Sequence, residues 1–297
     1  MCLQPLDLKD KAGVERYLKK ERHFLSAYAF ESLFSWRSHF EVLGATINKK
    51  LCLFYKGPTG CFMALPPLGG LDVKTLDKCF DIMEGMNRNK DISRIENIEE
   101  RDLVFFKKNG FRVYEKSREY IVRTRQMAEL KGDRFKHKRN LVNFFKKNNA
   151  PAARAYEDKD KPAVLELYTG WKSAREKKNS DSVYVAMLED SFKSLSVFLD
   201  DYKRSDAQAR VVECGGAIRA FTSGFPVSPA LFCVNFEFAD SAFKGIAQFI
   251  FNAFAAGLLK YPEINMMDDS GMENIRYTKL SYKPSRIVSS YTALLAA

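Results

Sequence analysis

Ala230-Leu-Phe-Cys-Val-Asn-Phe-Glu-Phe238 runs through Asp240 and Ser241 into the apolar stretch from Ala242 to Leu259. Apart from Asn235 and Glu237, the first nine residues are apolar, the pattern of a buried strand. Asp240 or Ser241 can cap the helix that follows. That helix carries Lys244, Gln248 and Asn252, so it reads as a core helix rather than a membrane span. The pair is a strand-to-helix crossover, and the rest of the chain arranges itself around it. Downstream, Ile264 to Met267 reads as a short strand, and Met272 to Tyr282 as a last helix. Upstream lie strands at Arg210–Glu213 and Ala217–Phe225 around Gly215-Gly216, helices at Lys161–Glu176 and Ala186–Tyr202, and a strand at Ala152–Tyr156.

The first half repeats much of this order. Pro5 to Leu8 reads as a strand, and Lys9–Lys20 and Ser26–Phe40 as helices. Leu51–Tyr55 and Gly60–Leu65 are strand-like, with a Gly57-Pro58-Thr59-Gly60 turn between them. Helices are expected at Val73–Gly85 and Ile98–Lys108, the second stopping at Asn109-Gly110. A β pair at Phe111–Tyr114 and Tyr120–Arg123 closes the half. A basic helix from about Arg134 to Lys147 leads to Asn148-Asn149-Ala150-Pro151, the strongest break in the chain. Two domains are therefore expected, 1–149 and 150–297, each a mixed sheet flanked by helices.

The chain has 297 residues, 46% of them hydrophobic, with 24 Phe and 13 Tyr. That is too apolar for a disordered chain and long enough for two cores. Its net charge of +11 favours anionic partners: nucleic acid, acidic lipid surfaces or phosphorylated small molecules. Cys2, Cys52, Cys61, Cys79, Cys214 and Cys233 form no C-x-x-C pair, and several sit in apolar runs, so they read as free thiols of a reducing compartment. Asp7, Lys9, Asp10 and Lys11 interrupt the N-terminus before it can form a signal peptide. A cytoplasmic location follows as the expectation. His23, His39 and His137 have no zinc-ligand spacing, and no metal is expected.

On the basic helix, Lys136, Arg139, Asn140, Asn143 and Lys147 fall on one side, while Phe135, Leu141, Val142 and Phe145 fall mostly on another. The polar side suits phosphates, and a solvated helix face accounts for it equally well. Glu237 is a lone acid on an apolar strand. Facing a cleft, it would have a raised pKa and serve as a base toward an amine; the alternative is a carboxylate paired with a neighbouring Arg or Lys. Arg276 and Lys279 are three residues apart on the last helix and can reach one anion together.

The element order resembles the GNAT (acyl-CoA N-acyltransferase-like) fold, twice over. Phe105-Phe-Lys-Lys-Asn-Gly-Phe111 looks like that fold's late helix running into its penultimate strand. Further stretches resemble the bacterial family allied to the C-terminal domain of phosphatidylglycerol lysyltransferase. These are Leu130 to Phe145, Val234-Asn-Phe-Glu-Phe-Ala-Asp240, Lys244-Gly245, and Asp269 to Pro284, with Tyr28, Phe30 and Trp36 near the start. The resemblance spans almost the whole chain. It implies an α/β protein of two tandem GNAT-like domains and an aminoacyl- or acyltransferase, with aminoacyl-tRNA or another phosphate-bearing molecule as donor and an amine or hydroxyl as acceptor. It points to Lys136, Arg139, Asn143, Lys244, Gly245, Arg276 and Lys279 as substrate-binding residues. Lys244-Gly245 would form the phosphate loop, for coenzyme A in the alternative reading of an acetyltransferase. A non-catalytic binder of nucleotide or RNA is a further alternative. Tyr277 stands where GNAT enzymes often keep the acid that protonates the leaving group, beside Glu237 as base. The matching Phe106 has no proton to give, which makes the second half the working one. The chain departs from the family pattern at Asn235, Phe238 and Met267, where His, Lys and an acid are expected.

Overall fold

The computed structural model describes residues 3–296. The chain begins with β1 (Gln4–Pro5), α1 (Lys11–Leu18), α2 (Phe30–Ser35), β2 (Glu41–Ile47), β3 (Lys50–Gly57), β4 (Gly60–Met63), α3 (Val73–Met86), β5 (Arg94–Glu99), α4 (Leu103–Lys108) and β6 (Phe111–Arg123). It continues with α5 (Thr124–Glu129), α6 (Lys136–Asn149), β7 (Ala152–Ala155), α7 (Lys161–Glu176), α8 (Ser182–Asp201), β8 (Gln208–Cys214), β9 (Ala217–Ser228), β10 (Leu231–Ala239), α9 (Ile246–Gly257) and β11 (Glu263–Asn265). The last elements are α10 (Glu273–Ser281) and β12 (Arg286–Leu295).

These elements form two compact units. One holds the residues through Glu119, with Asp268–Arg276 and the chain from Ile287 on; the other holds Tyr120–Met267 and Tyr277–Arg286. The division falls thirty residues before the expected break at Asn149. The physical reason is α6, whose apolar stripe packs on α9, with the Phe145 and Phe249 rings 5.1 Å apart. The basic helix therefore belongs to the second unit.

In the first unit, β1, β2, β3 and β4 pair antiparallel in sequence, β4 joins β5 in parallel, and β12 pairs antiparallel with β5. Two expected helices are shorter than the sequence suggests. The Ser26–Phe40 helix is broken because Ala29 is extended and Tyr28 is held elsewhere. The Tyr28 ring stacks on His23 at 3.9 Å, and its hydroxyl donates to the Asn97 carbonyl at 2.9 Å. The chain then forms β2, joined to β3 by Asn48 and Lys49, both left-handed at φ 51° and 66°. Two such residues form the turn whose twist suits a hairpin, although Lys is an unusual choice for the second. The expected Ile98–Lys108 helix begins only at Leu103, because Ile98 lies on β5 opposite Tyr291 of β12.

The second unit is built on β7-β8-β9-β10-β11. Its first four strands are antiparallel neighbours, β10 and β11 are parallel, and the end of β6 pairs antiparallel with β11. One face carries α7 and α8, the other α5, α6 and α9. The core between the sheet and α9 includes Phe232, Val234, Phe249, Phe254 and Ile264. Cys52, Cys61, Cys79, Cys214 and Cys233 are buried and free; Cys2 lies outside the described residues. Among the described residues, no helix is long and apolar enough to cross a membrane.

Candidate functional site

β10 is the strand that makes the site. It pairs with β9 along its length, but with β11 only through Leu231, Phe232 and Cys233. Among the described residues its β11 side has no ladder partner past Cys233, so the two strands open. Between Val234 and Phe236 the register with β9 slips, leaving Asn235 as a bulge. A bulge adds one residue and reverses which face the following side chains take. Phe232 and Val234 point into the α9 core. After the bulge, Phe236 meets Phe198 of α8, and Phe238 meets Tyr168 and Trp171 of α7. Glu237, between them, is thereby turned to the α6 and α9 face, beside the opening.

Glu237 keeps open surface while protein mass surrounds it, so it lines a recess. Among the described residues it makes no hydrogen bond or ion pair. The loss of surrounding water raises its pKa from 4.5 to about 7, against the pull of Lys279 and Lys138.

Three side chains lie close enough to the same carboxylate to feel its charge. Lys138, on α6, is only 8% exposed, and its ammonium lies 4.0 Å from the centroid of the Tyr282 ring. Burial lowers its pKa, and Glu237 opposes that. Tyr282 is buried, edge-on to Phe251 at 4.9 Å. Burial first, then the charge of Glu237, pushes its hydroxyl well above the ordinary range. Lys279 donates to the Met266 carbonyl, and its ammonium is 5.9 Å from the Tyr120 ring centroid. A carboxylate with a raised pKa beside two ammonium groups in a recess is an arrangement suited to proton transfer.

The other expected site residues lie elsewhere. Lys136 and Asn143 are exposed on the outer face of α6. Arg139 donates to the carbonyls of Leu130, at 2.5 Å, and Gly132, at 3.1 Å, tying the preceding loop to α6. Lys244 is exposed, with its ammonium 5.3 Å from the Phe144 ring centroid. Gly245 has φ +91°, and a Cβ there would lie 2.3 Å from the Leu141 carbonyl oxygen. The close approach that this glycine permits is taken by α6. Arg276 is exposed. Tyr277 is 77% exposed; the tyrosine beside Glu237 is Tyr282. Of the three departures from the family pattern, Asn235 is the bulge residue and accepts from the Ser223 hydroxyl at 2.8 Å. Phe238 is part of the aromatic packing under α7, and Met267 takes a left-handed φ of 59° with its N–H on the Asn265 side chain.

Lys138 carried a signal in the sequence: Phe135, Lys138, Val142 and Phe145 share one helical stripe, so this lysine had to be buried. On the opposite, α7 face, a groove of about 800 Å³ is lined by Trp171, Arg175, Arg219 and Asp240, among others. The Arg175 guanidinium lies 5.0 Å from the Trp171 ring centroid.

The model of the family "phosphatidylglycerol lysyltransferase, C-terminal" matches residues 21–294. The chain belongs to this lysyltransferase C-terminal family. Among solved structures, a conserved protein of unknown function from Bacteroides thetaiotaomicron is 23% identical, with 99% of each chain covered and a TM-score of 0.87. The L-PGS from Bacillus licheniformis is 14% identical over 96% of this chain and 91% of that one, with a TM-score of 0.66. A tandem GNAT protein from the clavulanic acid biosynthesis pathway is 10% identical over 100% and 99%, with a TM-score of 0.52. At these identities the likeness concerns fold: a tandem GNAT-like α/β protein with mixed sheet flanked by helices. A search of curated proteins finds no match.

Proposed function

We propose that the second unit moves an aminoacyl group from aminoacyl-tRNA to an amine or hydroxyl acceptor. The observation that carries this is Glu237: recessed, unpaired, raised toward 7 and placed where β10 and β11 separate. Membership of the lysyltransferase C-terminal family supplies the reaction class. In the reaction the acceptor nitrogen or oxygen attacks the ester carbonyl of the donor. Glu237 takes the proton that the nucleophile loses. The tetrahedral oxyanion forms near the ammonium groups of Lys138 and Lys279, which lower its energy. Collapse breaks the bond to the tRNA hydroxyl oxygen, and the proton held by Glu237 passes to that oxygen. The carbonyl thus changes partner and the carboxylate is regenerated.

Lys136 and Asn143, exposed on α6, suit contact with the donor's phosphates. The test uses bulk tRNA charged with labelled amino acids. Wild-type protein is expected to bind it in a salt-sensitive way, with K136A reducing the slope by about one phosphate contact. It is also expected to discharge the label to added amine or membrane-lipid acceptors. Binding that ignores salt, together with no discharge above the uncatalysed rate, would remove tRNA from the reaction.

A further inference from the structure

A buried ammonium group stays charged at low cost only where another group answers its charge. Lys138 is 92% removed from solvent, with 8% of its surface exposed, yet among the described residues it has no ion pair and no hydrogen bond. Its one strong contact is the face of Tyr282 at 4.0 Å. A ring face offsets part of the desolvation of a cation and forms no salt bridge. Glu237 is close enough to be felt by Lys138 but lies beyond ion-pair distance. Lys279 brings a second ammonium toward the same carboxylate. Lys138 is therefore a buried ammonium with no ion pair of its own among the described residues.

We propose that the recess bounded by Lys138, Lys279 and Tyr282 is a subsite for an anionic group of the substrate, a carboxylate or a phosphate, next to the reacting carbon. Its contact would supply the hydrogen-bond acceptor that Lys138 lacks. The same two ammonium groups repel a cationic side chain, so a lysyl-like group does not suit this position. The inference deepens the transferase reading, and only its catalytic meaning rests on that reading; binding of the anion does not.

The experiment is calorimetric titration of the full chain with inorganic phosphate, pyrophosphate and L-glutamate, with L-lysine as the cationic comparison. At least one anion is expected to bind, while L-lysine does not. Phosphate against glutamate separates the two sources of negative charge. K138M is expected to weaken the anion about 10–100-fold, the worth of one charge-assisted hydrogen bond, and K138R to recover most of it. If K138M does not fold, NMR of lysine labelled at the ε carbon reads the same contact in the wild type, where the Lys138 resonance should move on anion addition. Failure of all three anions to bind would overturn the proposal, as would equal affinity in K138M and wild type or an unmoved Lys138 resonance at saturation. Anion binding without transfer from aminoacyl-tRNA would count against the transferase reading and leave the subsite standing.

Discussion

Replacing Gly245 by Ala separates two roles for this residue. As a phosphate-loop glycine it would affect binding alone. As a packing glycine it governs how α6 sits on α9. Its φ of +91° places an alanine in the left-handed region, which costs about 1–2 kcal/mol. The added Cβ would also lie 2.3 Å from the Leu141 carbonyl oxygen, a backbone atom, and 3.2 Å from the Cβ of Phe145. Neither neighbour can rotate away, so α6 has to shift by roughly 1 Å, which adds about 1–3 kcal/mol of overpacking. The sum is about 2–5 kcal/mol. Gly132 isolates the first contribution, because its φ is +86° and a Cβ added there would meet nothing within 4 Å; G132A should cost only about 1–2 kcal/mol. Urea unfolding followed by circular dichroism measures both variants. Movement of α6 also displaces Lys138 from Glu237, so G245A should lose transfer activity even where it remains folded. A G245A midpoint equal to or above that of G132A would refute the packing account.

Three further outcomes follow from the same geometry. Glu263 is 2% exposed and accepts from Arg286 at 2.8 Å on both oxygens, with Arg123 at 3.4 Å; R286M should destabilise the second unit by about 3 kcal/mol, and E263Q in that background should restore part of it. A loss below about 1 kcal/mol would remove Arg286 from the stability of the sheet. Asp72 caps α3 through the Thr75 N–H, and hydrogen bonds from Lys50 and Thr75 lower its pKa from 3.8 to about 2. Its contribution is therefore present above pH 3.8 and lost as pH falls through 2, so D72A should lower the urea midpoint near neutral pH and match wild type in strong acid; a constant difference across pH would contradict this. Y282F should change transfer more than Y277F, since Tyr282 faces the recess and Tyr277 is 77% exposed; the reverse order in a transfer assay would return Tyr277 to the mechanism.

The strands and helices of the second unit were largely legible, because long apolar or amphipathic runs such as those of β10 and α9 have few alternatives. The first unit hid more. β2 and β5 are strands because their partners exist elsewhere in the chain, and no local pattern around Glu41 or Ile98 announces β3 or β12. Glu237 and Lys279 stood out as charges on the elements that carry the resemblance. The face that Glu237 takes depends on the bulge at Asn235, a matter of register with β9 that one strand's sequence does not contain. Lys138 was masked by its neighbours: in a run of basic residues, the one on the apolar stripe counts as another solvated charge until the stripe is traced. Tyr277 and Tyr282 differ in burial through a turn of the chain after α10. Gly245 matched a phosphate-loop pattern while serving helix packing, since both uses require a backbone without a Cβ.

The most direct measurement is the pH dependence of single-turnover transfer from aminoacyl-tRNA, in wild type and in E237Q. A base whose pKa is raised by the loss of surrounding water works only once deprotonated, so the wild-type rate should climb with pH through a value well above 4.5 and toward 7. E237Q should lose that limb and about 10²–10⁴-fold in rate, with donor binding unchanged. An E237Q rate within about tenfold of wild type, on an unaltered pH profile, would show that Glu237 is not the base.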